Sequence, residues 1–103
     1  MVAIKEGLNL KIHLIVSVVV ISLGFFFKIR RLEWVALLIM ISLVISLELI
    51  NSAMENMVDL VTKERNSMAG KIKDIAAAAV LVVAVISVVV GILIFAPHLK
   101  PNT

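Results

Sequence analysis

The chain has 103 residues, 62% of them hydrophobic, and a mean hydropathy of +1.17. Soluble domains are about 45–50% apolar, so this composition marks an integral membrane protein, and the length allows one domain, residues 1–103. The absence of cysteine excludes disulfides, thiolate nucleophiles and cysteine metal sites, while the net charge of +3 sits at segment ends, as membrane-flanking residues do, and indicates no nucleic acid partner.

Residues 1–11 are short and mixed, with Lys5, Glu6 and Lys11, and read as the last turns of an interfacial helix. Ile12 to Phe27 then carries no formal charge if His13 is neutral. As a helix it is about 24 Å long, a little under the hydrocarbon thickness, and Lys11 and Lys28 can snorkel from its ends. This is the first span, about 12–28. No small-residue cleavage site follows Phe27, where Lys28, Ile29, Arg30 and Arg31 come instead, so the run does not read as a removable signal peptide. His13 reads as interfacial, since no second histidine lies near it to share a metal. Glu33 with Arg30 and Arg31 reads as a solvated turn, and Trp34 marks the next interface.

The second span, about 32–61, begins apolar and turns polar. From Glu48 to Asp59 the sequence reads Glu48-Leu49-Ile50-Asn51-Ser52-Ala53-Met54-Glu55-Asn56-Met57-Val58-Asp59. At about 100° per residue, its six polar side chains fit an arc of about 140°, and every apolar one lies outside it. Glu48, Glu55 and Asp59 share one line. A carboxylate line that starts inside a membrane-grade helix is expensive and needs a reason.

Thr62 to Gly70 is the larger loop, with Gly70 as its breaker. Lys71, Lys73 and Asp74 open the third span, about 71–97, which Pro97 ends. Ala76 to Ala79 is a small-residue run that lets another helix approach closely. Three spans place Lys5, Lys11, Lys63, Arg65, Lys71 and Lys73 on one side, and Lys28, Arg30, Arg31 and Lys100 on the other. By the positive-inside rule the first side is cytoplasmic.

The cytoplasmic end therefore gathers Glu48, Asn51, Glu55, Asp59, Glu64, Lys73 and Asp74. Carboxylates with an amide suit a hard cation such as Mg2+, and a lysine beside them suits phosphate. Glu48, the deepest, suits a general base towards a hydroxyl arriving from the lipid side. These parts describe phosphoryl transfer from a metal-bound nucleotide to a lipid alcohol. The chain has no GxxxxGK[ST] and no GxGxxG, so helix ends and side chains must hold any nucleotide. The plainer readings are an oligomer interface or an emerging helix end for the acids, and a snorkelling pair for Lys73 and Asp74. Two other classes compete. A proton- or cation-conducting subunit would use Glu48 as carrier, and a non-catalytic membrane scaffold would show no turnover.

The Glu48–Asp59 stretch, followed by Lys73-Asp74 before an alanine run, resembles the signature of the small prokaryotic diacylglycerol kinases. Asn9-Leu10-Lys11-Ile12-His13-Leu14 and Arg31-Leu32-Glu33-Trp34 are more similar to the Gram-positive branch that phosphorylates undecaprenol. The resemblance covers nearly the whole chain. It implies an all-α, integral-membrane homotrimer of three-span subunits in the cell membrane, with sites between subunits at the cytoplasmic interface. It implies an ATP- and Mg2+-dependent kinase whose acceptor is a membrane lipid alcohol, undecaprenol before diacylglycerol. By position, Glu48 is the catalytic base and Glu55 holds the metal bridging the ATP phosphates. Glu64, Lys73 and Asp74 contact ATP together with Glu55, and Asn51 and Asp59 support. The sequence also departs from the family. A second metal-binding glutamate falls at Gly7, so either the adjacent Glu6 takes that metal role or the carboxylate is lost. Glu64-Arg65-Asn66 lacks the family's Glu-Tyr-His ending, and residues 1–11 are the remnant of a longer surface helix.

Overall fold

The computed structural model describes residues 2–62 and 66–99, with side chains from Asn9 onward. It is all helical: α1 is Val2–Phe27, α2 Arg31–Val61 and α3 Ser67–Phe95, followed by a single 3-10 turn, Ala96–Leu99. All three long helices are long and apolar enough to cross a membrane. The three run antiparallel in an elongated bundle, 59 Å on its long axis. Helix α2 is the central element. It packs along α3 and less extensively along α1, while α1 and α3 scarcely meet.

Large apolar side chains are exposed on all three helices, among them Ile15, Val18, Phe26, Leu38, Val82 and Leu93. In a bilayer these face acyl chains, so burial inside the chain is not what makes the helices apolar. The backbone satisfies itself within each helix, as a membrane requires.

Two helix boundaries differ from the sequence expectation. No break separates residues 2–11 from the first span, because α1 runs unbroken from Val2. Gly7 alone costs a helix about 1 kcal/mol, too little to interrupt a run otherwise rich in leucine, lysine and alanine. Helix α3 starts at Ser67, a turn before Lys71, and Gly70 lies inside that first turn and breaks nothing. The start is set by Asn66, whose Oδ1 accepts from the Ala69 amide at 2.8 Å, an N-cap. Pro97 does end the α-helical hydrogen bonding, since it has no N–H to give, and the chain tightens into the 3-10 turn there.

The α1–α2 connection is only Lys28, Ile29 and Arg30. Lys28 has φ 53, the left-handed conformation, and two bonds close the helix end: Lys28 N to Phe25 O at 3.3 Å and Ile29 N to Gly24 O at 3.1 Å. This is a Schellman closure with lysine where glycine is the commoner choice. Gly24 is demanded by the packing. A Cβ there would sit 2.7 Å and 2.9 Å from the Trp34 ring and 3.3 Å from Ile29 Cδ1. Ile29, Leu37 and Ile94 form the buried cluster at this end, with Phe27, Trp34 and Phe95 against it. Glu33 is not the solvated residue its neighbours suggest. Its Oε1 accepts from the Arg30 amide at 2.8 Å, capping α2, and lies 3.4 Å from His98 Nε2. The bundle is therefore tied at the Trp34 end, and the functional residues lie at the other.

Candidate active site at the open end of the bundle

The buried residues of α2 are Leu37, Val44, Glu48 and Asn51. Spacings of seven, four and three put them on one helix face. That face is apolar in the first half of α2 and acidic-amide in the second. Glu48 is 4% exposed and Asn51 9%. Taking Trp34 as one interface and about 1.5 Å per residue, Glu48 lies about 21 Å along α2, inside a core about 30 Å thick. Glu55 comes at about 32 Å and Asp59 at about 38 Å, at and beyond the far boundary. Glu48 is thus an intramembrane acid, while Glu55 and Asp59, both half-buried, belong to the headgroup region.

A buried carboxylate in that position needs a partner. The structure supplies His13 of α1, whose Nε2 lies 3.7 Å from Glu48 Oε2. Asn51, one turn nearer the α2–α3 connection, has its Oδ1 buried with no hydrogen-bond partner. Among the described residues no donor reaches it, and a buried amide oxygen left without one costs about 1–3 kcal/mol.

Next comes the pair that joins α2 to α3. Lys73 Nζ donates to Asp59 Oδ1 at 2.6 Å. Lys73 and Asp74, adjacent in sequence, are therefore separated in space: Lys73 turns to the acid line of α2, while Asp74 is exposed. Of the residues expected in the site, Glu48, Asn51, Glu55, Asp59 and Lys73 lie along one end of the α2–α3 pair. Glu64 and the side chain of Glu6 lie outside the described residues. Among the described residues, no three His, Asp or Glu side chains converge as a metal cage.

Below Glu48, towards the bilayer centre, a groove of about 350 Å³ opens where α1 and α3 diverge over α2. His13, Val16 and Ser17 of α1, Leu37 and Val44 of α2 and Ser87 of α3 are among its lining. The serine hydroxyls are largely spent on their own helices, Ser17 Oγ on His13 O at 2.7 Å and Ser87 Oγ on Ala84 O at 2.7 Å. The groove is thus effectively apolar and carries one imidazole, His13, with Glu48 outside the lining and 3.7 Å beyond that ring. His13 was placed at the interface by sequence reasoning; the structure makes it part of this site.

A three-helix membrane protein with a buried acid above an apolar groove, and a lysine–acid pair above that, has the parts of an enzyme acting on a lipid hydroxyl. The prokaryotic diacylglycerol kinase family matches residues 1–95, and the chain belongs to that family. Over 91 residues it is 41% identical to an undecaprenol kinase of Bacillus subtilis, covering 88% of this chain and 74% of that one. It is 30% identical over 94 residues to a diacylglycerol kinase of Haemophilus influenzae, covering 90% and 80%. A diacylglycerol kinase of Synechocystis is 36% identical over 92 residues, covering 88% and 53%. No solved structure matches the chain. The protein is a membrane lipid kinase, a phosphotransferase for which family membership implies ATP as phosphate donor and a lipid as acceptor.

Proposed function

We propose that the chain, as the single domain 1–103, transfers the γ-phosphate of ATP to the hydroxyl of undecaprenol, with diacylglycerol as the next acceptor, in a Mg2+-dependent reaction. The higher identity to the Bacillus subtilis undecaprenol kinase supports that order. The observation that carries the reading is Glu48, 4% exposed and 3.7 Å from His13, the residue that lines the polar end of an apolar groove. The acceptor chain lies in the groove and its hydroxyl meets Glu48. The hydroxyl oxygen attacks the γ-phosphorus, the bond to the β-phosphate oxygen breaks, and ADP leaves. The hydroxyl proton passes to Glu48.

Mg2+ fits the donor set. It takes one or two carboxylates together with nucleotide phosphates and several waters, so Glu55 at the headgroup level suffices on the α2 side. Glu6 is the candidate for a second carboxylate, since the family position falls on Gly7. Bound there, the ion would offset charge on the phosphates. Lys73, released from Asp59, reaches a phosphate as a point charge; Glu64 and Asp74 complete the nucleotide contacts. Asn51 Oδ1 accepts from a donor that a single chain lacks.

A homotrimer in the cell membrane, with its sites on the cytoplasmic face, agrees with three features: the basic residues of the α2–α3 connection, the exposed Ala77, Ala78 and Ala79 on α3, and the orphaned Asn51. The test is label transfer from γ-labelled ATP to each lipid in mixed micelles, with and without Mg2+. Mg2+-dependent labelling, faster with undecaprenol, is expected. Folded protein that labels neither lipid would refute the reading.

A further inference from the structure

We infer that His13 is the positioning residue of Glu48: its Nε2 holds Glu48 Oε2 at the head of the groove and leaves the other carboxylate oxygen free for the acceptor hydroxyl. The inference rests on the lipid-kinase mechanism proposed above, and it adds a residue from a different helix to the reacting end.

Three observations carry it. The first is distance: Nε2 and Oε2 are 3.7 Å apart, about half an ångström beyond a hydrogen bond. Contacts of this kind are long in unliganded sites and tighten when substrate closes them. The second is burial. The Glu48 side chain is 6% exposed and does not line the groove, whereas His13, 26% exposed, does, so the imidazole stands between the buried acid and the groove. A buried acid held there without a donor keeps its rotamer freedom and an unmet polar group; one donated bond fixes the rotamer and meets that need. The third is the shared space. His13 lines the groove, so any hydroxyl that reaches Glu48 along it passes the imidazole.

The experiment uses the full chain in mixed micelles and compares His13→Leu, which removes the donor, with His13→Gln, which keeps an N–H donor at similar reach. His13→Leu lowers kcat by about tenfold or more with the KM for ATP within about twofold, and His13→Gln stays within about threefold of the parent. A merely structural role does not predict that rescue. The second measurement repeats His13→Leu in a Glu48→Asp background, where the acid is drawn back by one methylene, out of reach of the imidazole. If His13 acts through Glu48, the second change costs less than about twofold there. Losses that multiply in the two backgrounds overturn the inference, as does a Gln variant no better than Leu. Normal turnover by His13→Leu overturns the inference alone; no turnover by the unsubstituted chain overturns the kinase mechanism beneath it. If His13→Leu fails to fold, His13→Gln against the shorter His13→Asn carries the same comparison.

Discussion

Replacing Glu48 by glutamine should move stability and activity in opposite directions. The carboxylate is 4% exposed and lies about 21 Å into α2, so its charge carries a desolvation cost of several kcal/mol. Its partner is His13 at 3.7 Å. At an effective dielectric of about 20, full charges at that distance attract by about 4 kcal/mol, so cost and gain nearly cancel. Glutamine has the same volume and no charge. Its amide still offers the imidazole a hydrogen-bonding partner, so the change strands no buried polar group. The expected stability change is therefore between zero and about 2 kcal/mol of gain. Turnover should fall by about 10² to 10⁴, the usual worth of a general base, with ATP binding largely intact. Thermal denaturation in detergent and label transfer to undecaprenol measure the two quantities on one preparation. Near-normal turnover removes Glu48 as the base. Loss of activity together with a clear fall in melting temperature makes Glu48 a structural residue, and the argument from membrane depth is then wrong.

Glu55→Gln should shift the Mg2+ dependence to about tenfold higher concentration; an unchanged Mg2+ titration counts against a ligand role. Asp59→Asn breaks a partly exposed pair worth under about 1 kcal/mol, so melting should barely change, while the KM for ATP rises several-fold because Lys73 loses its fixed position. A large drop in melting with unchanged KM would make the pair a structural tie. Gly24→Ala puts a Cβ 2.7 Å from the Trp34 ring and should cost about 1–3 kcal/mol, read by thermal denaturation; an unchanged melting temperature shows that the α1–α2 turn yields freely. Lys28→Gly removes a side chain from a left-handed position and should stabilise by about 1 kcal/mol, with a lower melting temperature as the contrary result.

Much of the fold can be read from the sequence because membrane helices announce themselves by length and charge. The three apolar helices and the polar arc of α2 follow from hydropathy and spacing alone. The helix starts do not. Asn66 caps α3 four residues before Gly70, and a glycine in a first turn looks like a glycine in a loop. The site divides in the same way. Residues on one helix face are legible together, so Glu48, Asn51, Glu55 and Asp59 could be grouped without coordinates. Partners across helices are harder, though the antiparallel topology contains them. Reflecting Asp59 through Asn66 lands on Lys73. Counting an equal distance back from the turn at Ile29, the partner of Glu48 falls at Leu10, one helical turn from His13. What hid His13 was the search for a second histidine to share a metal. The relevant need was a donor for a buried acid, and one histidine meets it.

The tied and the open end of the bundle are coupled through α1. At the Trp34 end the Schellman closure, the Gly24–Trp34 contact, the Ile29–Leu37–Ile94 cluster and the Glu33–His98 approach hold the three helices together. Away from it α1 and α3 diverge, and the groove exists because they do. Along that length the contact of α1 with the acid line of α2 is His13 to Glu48, still short of a hydrogen bond. His13 lies about 16 Å along α1 from Gly24, so a small change of helix angle at the turn becomes a displacement of comparable or larger size at the imidazole. A rigid turn therefore sets the width of the groove and the reach of His13 together.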